Sequence, residues 1–357
     1  MGRAFGLDFP PYMTPLFIIH LLNGFLVYLL ARKIKIGTWH AIAGVAFFTL
    51  SASAFDAYWK PMYVFDLLCT TFCLASVLLF ACRQWILSFL AFWLAYKSKE
   101  LAVMLPAVLF AYEYWLGRGR YLPLIPFFAV SLSFGIQGIL LNPNQDNEYT
   151  FRFTLAALGK TIPFYAQRFL LLPFSGLALL ALAFVPDRRI WFGLAACMLF
   201  LFTLLFLPGR LFEAYTYLPL SCAALALAAA ASHVRPAWVV AALVLWIPWN
   251  VRDLRRESRA KLALDDEAAE FVDQLQAWSA KHPQVTTLVY ADQPRGYHQW
   301  GVAAAWNIAH KTVNLPVYFS GTPDAVKAMA NQAVAQEQWT WNGRTGALTI
   351  QIHLPSH

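Results

Sequence analysis

The stretch Trp93–Gly117, WLAYKSKELAVMLPAVLFAYEYWLG, sets Lys97, Lys99 and Glu100 between apolar segments. A charge at membrane depth costs roughly 2.5–3.5 kcal/mol on insertion scales, so it persists where it pairs, reaches the headgroups, or lines a wet cavity. Two readings stay open. The lysines end a helix at the headgroups, or the helix breaks at a site where Lys99 meets an anion and Glu100 holds it in place. Other polar residues stand in comparable settings. His20 and Asn23 are three apart and share a helix face. Asp56 and Lys60 in FDAYWKP can be a solvated ion pair, whereas Asp66, inside the next apolar segment, needs a partner that Lys60 or Lys99 can supply. Glu113 is either an interface anchor or half of a structural ion pair. Leu207–Pro219, LPGRLFEAYTYLP, adds Arg210, Glu213, Tyr215 and Tyr217. Arginine grips phosphate through paired hydrogen bonds and lysine as a point charge. A cavity holding Lys99, Arg210 and Arg168 suits a lipid-linked phosphate, although the same residues also serve as interfacial anchors.

Composition says where such residues must sit. The 357 residues are 59% hydrophobic and 13% charged, against about 25% charged in a soluble domain, which makes this a membrane protein. From Val251 onward acids and bases balance, so the net charge of +8 lies wholly in the apolar part. That surplus speaks for membrane topology and anionic lipid. No basic patch interleaved with aromatics argues for nucleic acid. Cys69, Cys73, Cys82, Cys197 and Cys222 all fall in apolar segments and form neither a disulfide framework nor a zinc spacing. The N-terminus lacks the order of a signal peptide.

A span needs about 20 apolar residues, fewer where it is broken. The expected spans are Thr14–Ala31, Trp39–Ala57, Tyr63–Cys82, Trp85–Tyr96, Leu101–Leu116, Tyr121–Leu141, Phe174–Val185, Ile190–Leu207, Tyr217–Ala231 and Ala237–Trp249. Phe153–Pro173 reads as an interfacial amphipathic helix. Basic residues mark cytoplasmic loops at Arg32–Lys35, Arg83, Arg118–Arg120 and Arg188–Arg189. The N-terminus, Asp56–Pro61, the Lys97–Glu100 break, Asn142–Arg152, Pro208–Thr216 and the tail then lie outside, against the pull of Arg252, Arg255, Arg256 and Arg259. An external N-terminus without a signal peptide leads one to expect a further span upstream.

The expected fold is thus an all-α polytopic membrane domain of about ten spans, residues 1–252, followed by a small soluble α/β domain, residues 253–357. In the tail, helices are expected at Lys261–Ala280, Gln299–His310 and Thr322–Gln338. Strands are expected at Thr286–Tyr290 and Val313–Phe319, with Thr340–Trp341 and Ala347–His353 flanking an Asn342-Gly343 hairpin turn. Asp292, Arg295, His298 and His310 show no metal spacing, and no Gly-rich phosphate loop occurs.

The segments TPLFIIHLLNGFLVYLLARK, YKSKELAVMLPAVLFAYEYW and EAYTYLPL together resemble the C-type (GT-C) polytopic membrane glycosyltransferase superfamily. The branch is that of membrane glycosyltransferases which often carry tetratricopeptide tails. The matching pieces are His20 with Asn23, Ser98-Lys99-Glu100 with Pro106, and Tyr217-Leu218-Pro219, within about residues 5–250. The resemblance implies a polyprenyl-phosphate sugar donor, transfer to a glycan or protein acceptor on the outer face, and residence in a bacterial inner membrane with the C-terminal domain outside the cytoplasm. It implies phosphate contacts from Lys99 and Arg210, orientation of Lys99 by Glu100, and substrate contacts from His20, Lys60, Arg168, Glu213 and Tyr217. Asp56 or Asp66 is the local candidate for the general base, and a divalent cation is the one cofactor it admits. The chain departs from the family in three places: it begins where the second span would begin, Ala214 stands where an arginine is usual, and the tail lacks tetratricopeptide repeats. The alternative is a non-catalytic polytopic protein, such as a transporter, flippase or envelope assembly partner.

Overall fold

The computed structural model describes residues 10–141, 150–297 and 299–354, so His298 and most of the expected loop Asn142–Arg152 lie outside the described residues. The chain divides into two compact units, Met1–Leu254 and Arg255–His357.

The first unit is helical. Its elements are α1 (Pro10–Lys33), α2 (Thr38–Thr49), the short α3 (Phe55–Trp59), α4 (Val64–Ala81), α5 (Trp85–Ser98), α6 (Leu105–Trp115), α7 (Ile125–Leu141), α8 (Leu155–Leu170), α9 (Arg188–Leu205), α10 (Tyr217–Ala231) and the start of α11 (Pro236–Lys281). Among the described residues five helices are long and apolar enough to cross a membrane, or up to seven if each of two bent pairs is one span. The apolar surface they turn outward marks a membrane domain. The expected span Trp39–Ala57 is one of the bent pairs, turning by 56° between Thr49 and Ala52. The Ala52 amide donates to Asn250 Oδ1 at 3.0 Å instead of continuing a helix.

Cross-helix contacts fix two ends. Lys99 meets Asp66 and Ser88 meets Ser76, so α4 and α5 run antiparallel and the Arg83 turn lies opposite Lys99. Glu113 pairs with Arg83, which brings the end of α6 to that turn. Arg189 donates to the Lys35 carbonyl and to Ser232, tying the ends of α1 and α10 to the start of α9. Asp187 accepts from Arg189 and sits 2.7 Å from His233 Nε2. Burial alone would raise the Asp187 carboxyl, but these partners hold it well below the usual carboxylate range. The centre of the bundle is α10, buried along most of its length. A Cβ on Gly44 would come within 2.8 Å of the Ala224 carbonyl, and one on Gly193 within 2.6 Å of the Ala226 nitrogen. Glycine at these two points lets α2 and α9 touch the α10 backbone.

The second unit holds the rest of α11, then β1 (Thr287–Tyr290), α12 (Gln299–Ala309), β2 (Val317–Phe319), α13 (Pro323–Asn331), β3 (Val334–Trp341) and β4 (Gly346–His353). The sheet order is β2-β1-β3-β4, parallel except for the β3–β4 hairpin. At the hairpin turn Asn342 Oδ1 accepts from the Arg344 and Thr345 amides. Alternation along β1 sends Leu288 and Tyr290 into one core with Phe271, Leu275 and Trp306, and Val289 into another with Ala325 and Ala328. Helices therefore cover both faces. The expected helix Thr322–Gln338 is corrected: α13 stops at Asn331 and Val334 begins β3. Alanine and glutamine favour helix locally, but pairing with β1 and burial of Val334, Ala335 and Trp339 outweigh that preference.

Glu337 is buried in β3, and neither carboxylate oxygen has a hydrogen-bond partner. Burial, helped by the charge of Asp292, pushes its carboxyl up to about 8. The neutral form is thus favoured in the fold. Stability is full below the unfolded carboxyl range, falls as pH rises towards 8, and is lowest above it. At about 1.4 kcal/mol per unit, the loss amounts to a few kcal/mol. Hydrogen exchange of residues 334–341 is expected to accelerate beyond the intrinsic pH effect as pH rises from about 5 to 8, and to gain no further excess above that. Glu337→Gln is expected to remove that excess and to differ little from the parent at acid pH.

Candidate functional site

The end of the first unit opposite the basic loops gathers charge from four separate stretches. The helical path stops at Ser98 because Lys99 adopts extended backbone, φ −161° and ψ 144°, before a 3-10 turn at Glu100–Met104. This turns the Lys99 side chain onto the first turn of α4, where its ammonium pairs with the Asp66 carboxylate. Both groups are largely buried, with side-chain exposures of 14% and 6%. The Lys99 ammonium also lies 4.1 Å from the centre of the Tyr215 ring, a favourable cation–π placement. The Arg210 guanidinium stands 6.0 Å from the same ring and 5.0 Å from that of Phe212.

A second ion pair joins Arg168 on α8 to Glu213 at 2.7 Å. The Ser53 hydroxyl donates to the Arg168 carbonyl, and Tyr165 donates to the Arg210 carbonyl at 3.4 Å. The α8 helix thereby holds both arginine segments. Thr154 caps its start by accepting from the Ala157 amide, and Thr161 donates to the Leu205 carbonyl at 2.8 Å. A third pair, Lys60 with Asp56 at 3.3 Å, spans one turn; Lys60 is 40% exposed and Asp56 8%.

Of the expected site residues, the structure brings Asp66, Lys99 and Arg210 together around Tyr215, and pairs Arg168 with Glu213 and Asp56 with Lys60. Of the two cations offered to Asp66, Lys99 is the one it takes. The orienting role expected of Glu100 is corrected: the next residue, exposed, leaves Lys99 to Asp66. His20 and Tyr217 are also placed differently. They lie buried among α1, α2 and α10, with His20 Nδ1 2.7 Å from the Tyr217 hydroxyl and Nε2 3.1 Å from the Thr49 carbonyl. Asn23 joins them, donating to the Tyr217 hydroxyl and the Leu67 carbonyl and accepting from Thr71. This is an interior neutral network, bonded to itself. Glu113 is a buried structural group that takes Arg83 at 2.6 Å and the amides of Arg118 and Arg120.

In sequence Tyr215 is only a polar member of its stretch, with no role assigned to it. It shares the Leu207–Pro219 stretch with Arg210, and only the fold shows that its ring lies near both cations. No group of three or more His, Cys, Asp or Glu able to hold a metal occurs among the described residues. With Asp56 and Asp66 each facing a lysine, these two acids do not fit a divalent cation. Comparison with protein-family models, with curated proteins and with solved structures finds no match for this chain.

Removing one partner of a buried ion pair costs about 3–5 kcal/mol, whereas replacing both with apolar groups of similar volume is close to neutral. Asp66→Leu is therefore expected to lower the melting temperature of the detergent-solubilised protein sharply. Adding Lys99→Met should restore most of the loss. A double variant no more stable than the single one would show that the two residues do not act as a pair.

Proposed function

We propose that the first unit is a C-type glycosyltransferase-like membrane domain that takes a sugar from a polyprenyl-phosphate donor at the outer face of a bacterial inner membrane. The observation that carries this reading is the meeting of Lys99 and Arg210 on Tyr215, at the end of the bundle away from the basic loops. In this reading the two cations steady the departing lipid phosphate. The base is Asp56 rather than Asp66, because Asp66 is closed on by Lys99, while the half-exposed Lys60 can swing away from Asp56. Asp56 then takes the proton of an acceptor hydroxyl as its oxygen attacks the anomeric carbon and the lipid phosphate leaves. Arg168 and Glu213 hold the rim.

We read ten passes through the membrane: α1, α2, α4, α5, α6, α7, the 3-10 helix Ser175–Phe184, α9, α10 and the first part of α11. The positive-inside rule puts the basic loops in the cytoplasm. The contact of Asn250 with Ala52 supports our reading that α11 leaves the membrane on the outer side, which would put the C-terminal domain outside the cytoplasm.

A hydrogen bond to a charged group contributes about 1.5–3 kcal/mol, which is roughly ten- to hundred-fold in affinity. In lipid nanodiscs, Lys99→Ala and Arg210→Ala are each expected to weaken binding of a polyprenyl phosphate by that factor. Asp56→Asn should leave binding intact and stop transfer from a labelled polyprenyl-phosphate sugar. Unchanged binding in both cation variants would overturn the reading. It would favour a non-catalytic membrane protein, the role suited to a Lys99 already closed on by Asp66 and Tyr215. Cysteines at Lys60 and Arg118, in a background lacking Cys82, are expected to label from opposite sides of the membrane.

A further inference from the structure

The second unit carries a cavity of about 220 Å³ on the sheet face that also packs α13. It lies where β1 and β2 end, the edge at which open α/β sheets present ligands. Val289, Ala291 and Ser320 form one side. The other is the hairpin, where cross-strand pairing sets Gln336 opposite Gln351 and Gln338 opposite Thr349 on one face. Glu337, between the two glutamines of β3, alternates to the opposite face with Ala335 and Trp339, so its carboxyl is not part of this wall.

Three features define what fits. The side chains of Ser320, Gln338, Thr349 and Gln351 have no hydrogen-bond partner among the described residues. Carboxamides and hydroxyls each both donate and accept, and so match groups that do the same. No lysine or arginine lines the cavity, so nothing in it offsets the charge of an anion. Phosphates and other anions are therefore disfavoured. The volume is smaller than a drug-sized pocket of roughly 300–1,000 Å³, and suits one ring of a small ligand.

We infer that this cavity is a binding site for a neutral saccharide, whose hydroxyls are read by Gln338, Gln351, Thr349 and Ser320. The inference does not rest on glycosyl transfer by the first unit.

The test uses the full chain in nanodiscs and saturation-transfer NMR with glucose, galactose, mannose and N-acetylglucosamine, with inorganic phosphate as the anionic probe. At least one neutral sugar is expected to bind with a dissociation constant on the order of millimolar. Gln338→Ala combined with Gln351→Ala should weaken it about ten-fold or more. Both positions are exposed, so the double variant should keep the parent's melting temperature. Lys99→Ala, in the other unit, should leave this binding unchanged. Binding of no neutral sugar, equal binding by the double variant, or displacement of the sugar by phosphate would each overturn the assignment.

Discussion

A lysine and an aspartate that cannot face lipid singly determine the arrangement at the charged end of the membrane unit. Asp66 lies in the first turn of an apolar helix and Lys99 lies between two apolar helices, so each carries a desolvation cost that the other offsets. To meet, the path from α5 to α6 must break, and Lys99 takes extended backbone to do so. Its carbonyl then faces Cys69 at 3.9 Å, one turn along α4. The Tyr215 ring then stands 4.1 Å from the Lys99 ammonium. Arg210 follows from Tyr215, and Glu213 places Arg168. The charged cluster is thus built outward from one pair.

Much of this was readable as positions and little of it as partners. The interruption at Lys99 showed because charge interrupts an apolar run, and the basic loops showed because they recur between spans. Asn342-Gly343 marked the hairpin through local turn chemistry. Partner choice is non-local: Asp66 and Lys99 are 33 residues apart, and composition favoured neither Lys60 nor Lys99. Glu100, adjacent in sequence, was the natural partner on local grounds. It does not take that role, because Glu100 is exposed at the start of the 3-10 turn while Lys99 pairs with Asp66. Tyr215 and Tyr217 illustrate the same limit. They are two residues apart in one aromatic stretch, yet one roofs two cations and the other closes an interior network. The start of β3 was hidden for a related reason, since its helix-favouring residues become strand only beside β1.

The two polar groups of the membrane unit differ in a way that follows from where each sits. The His20, Asn23, Thr71 and Tyr217 network uses only uncharged-capable donors and acceptors, and its members bond one another and the Thr49 and Leu67 carbonyls. Such a network can lie deep in the bundle because it leaves no net charge to solvate. The outer cluster instead uses full charges, and each of its three ion pairs keeps a cation that is 14–40% exposed. Partial exposure lets water share the solvation of lysine and arginine, and it is the condition under which an incoming anion can exchange with a protein carboxylate. A phosphate arriving at Lys99 would replace one negative partner with another across the same Tyr215 ring, so that binding would redistribute charge already present rather than introduce it into a dry interior. The chemistry proposed for this end depends on that exchange being possible at the rim. The interior network, already satisfied and uncharged, has nothing to exchange and serves to hold α1, α4 and α10 in place beneath it.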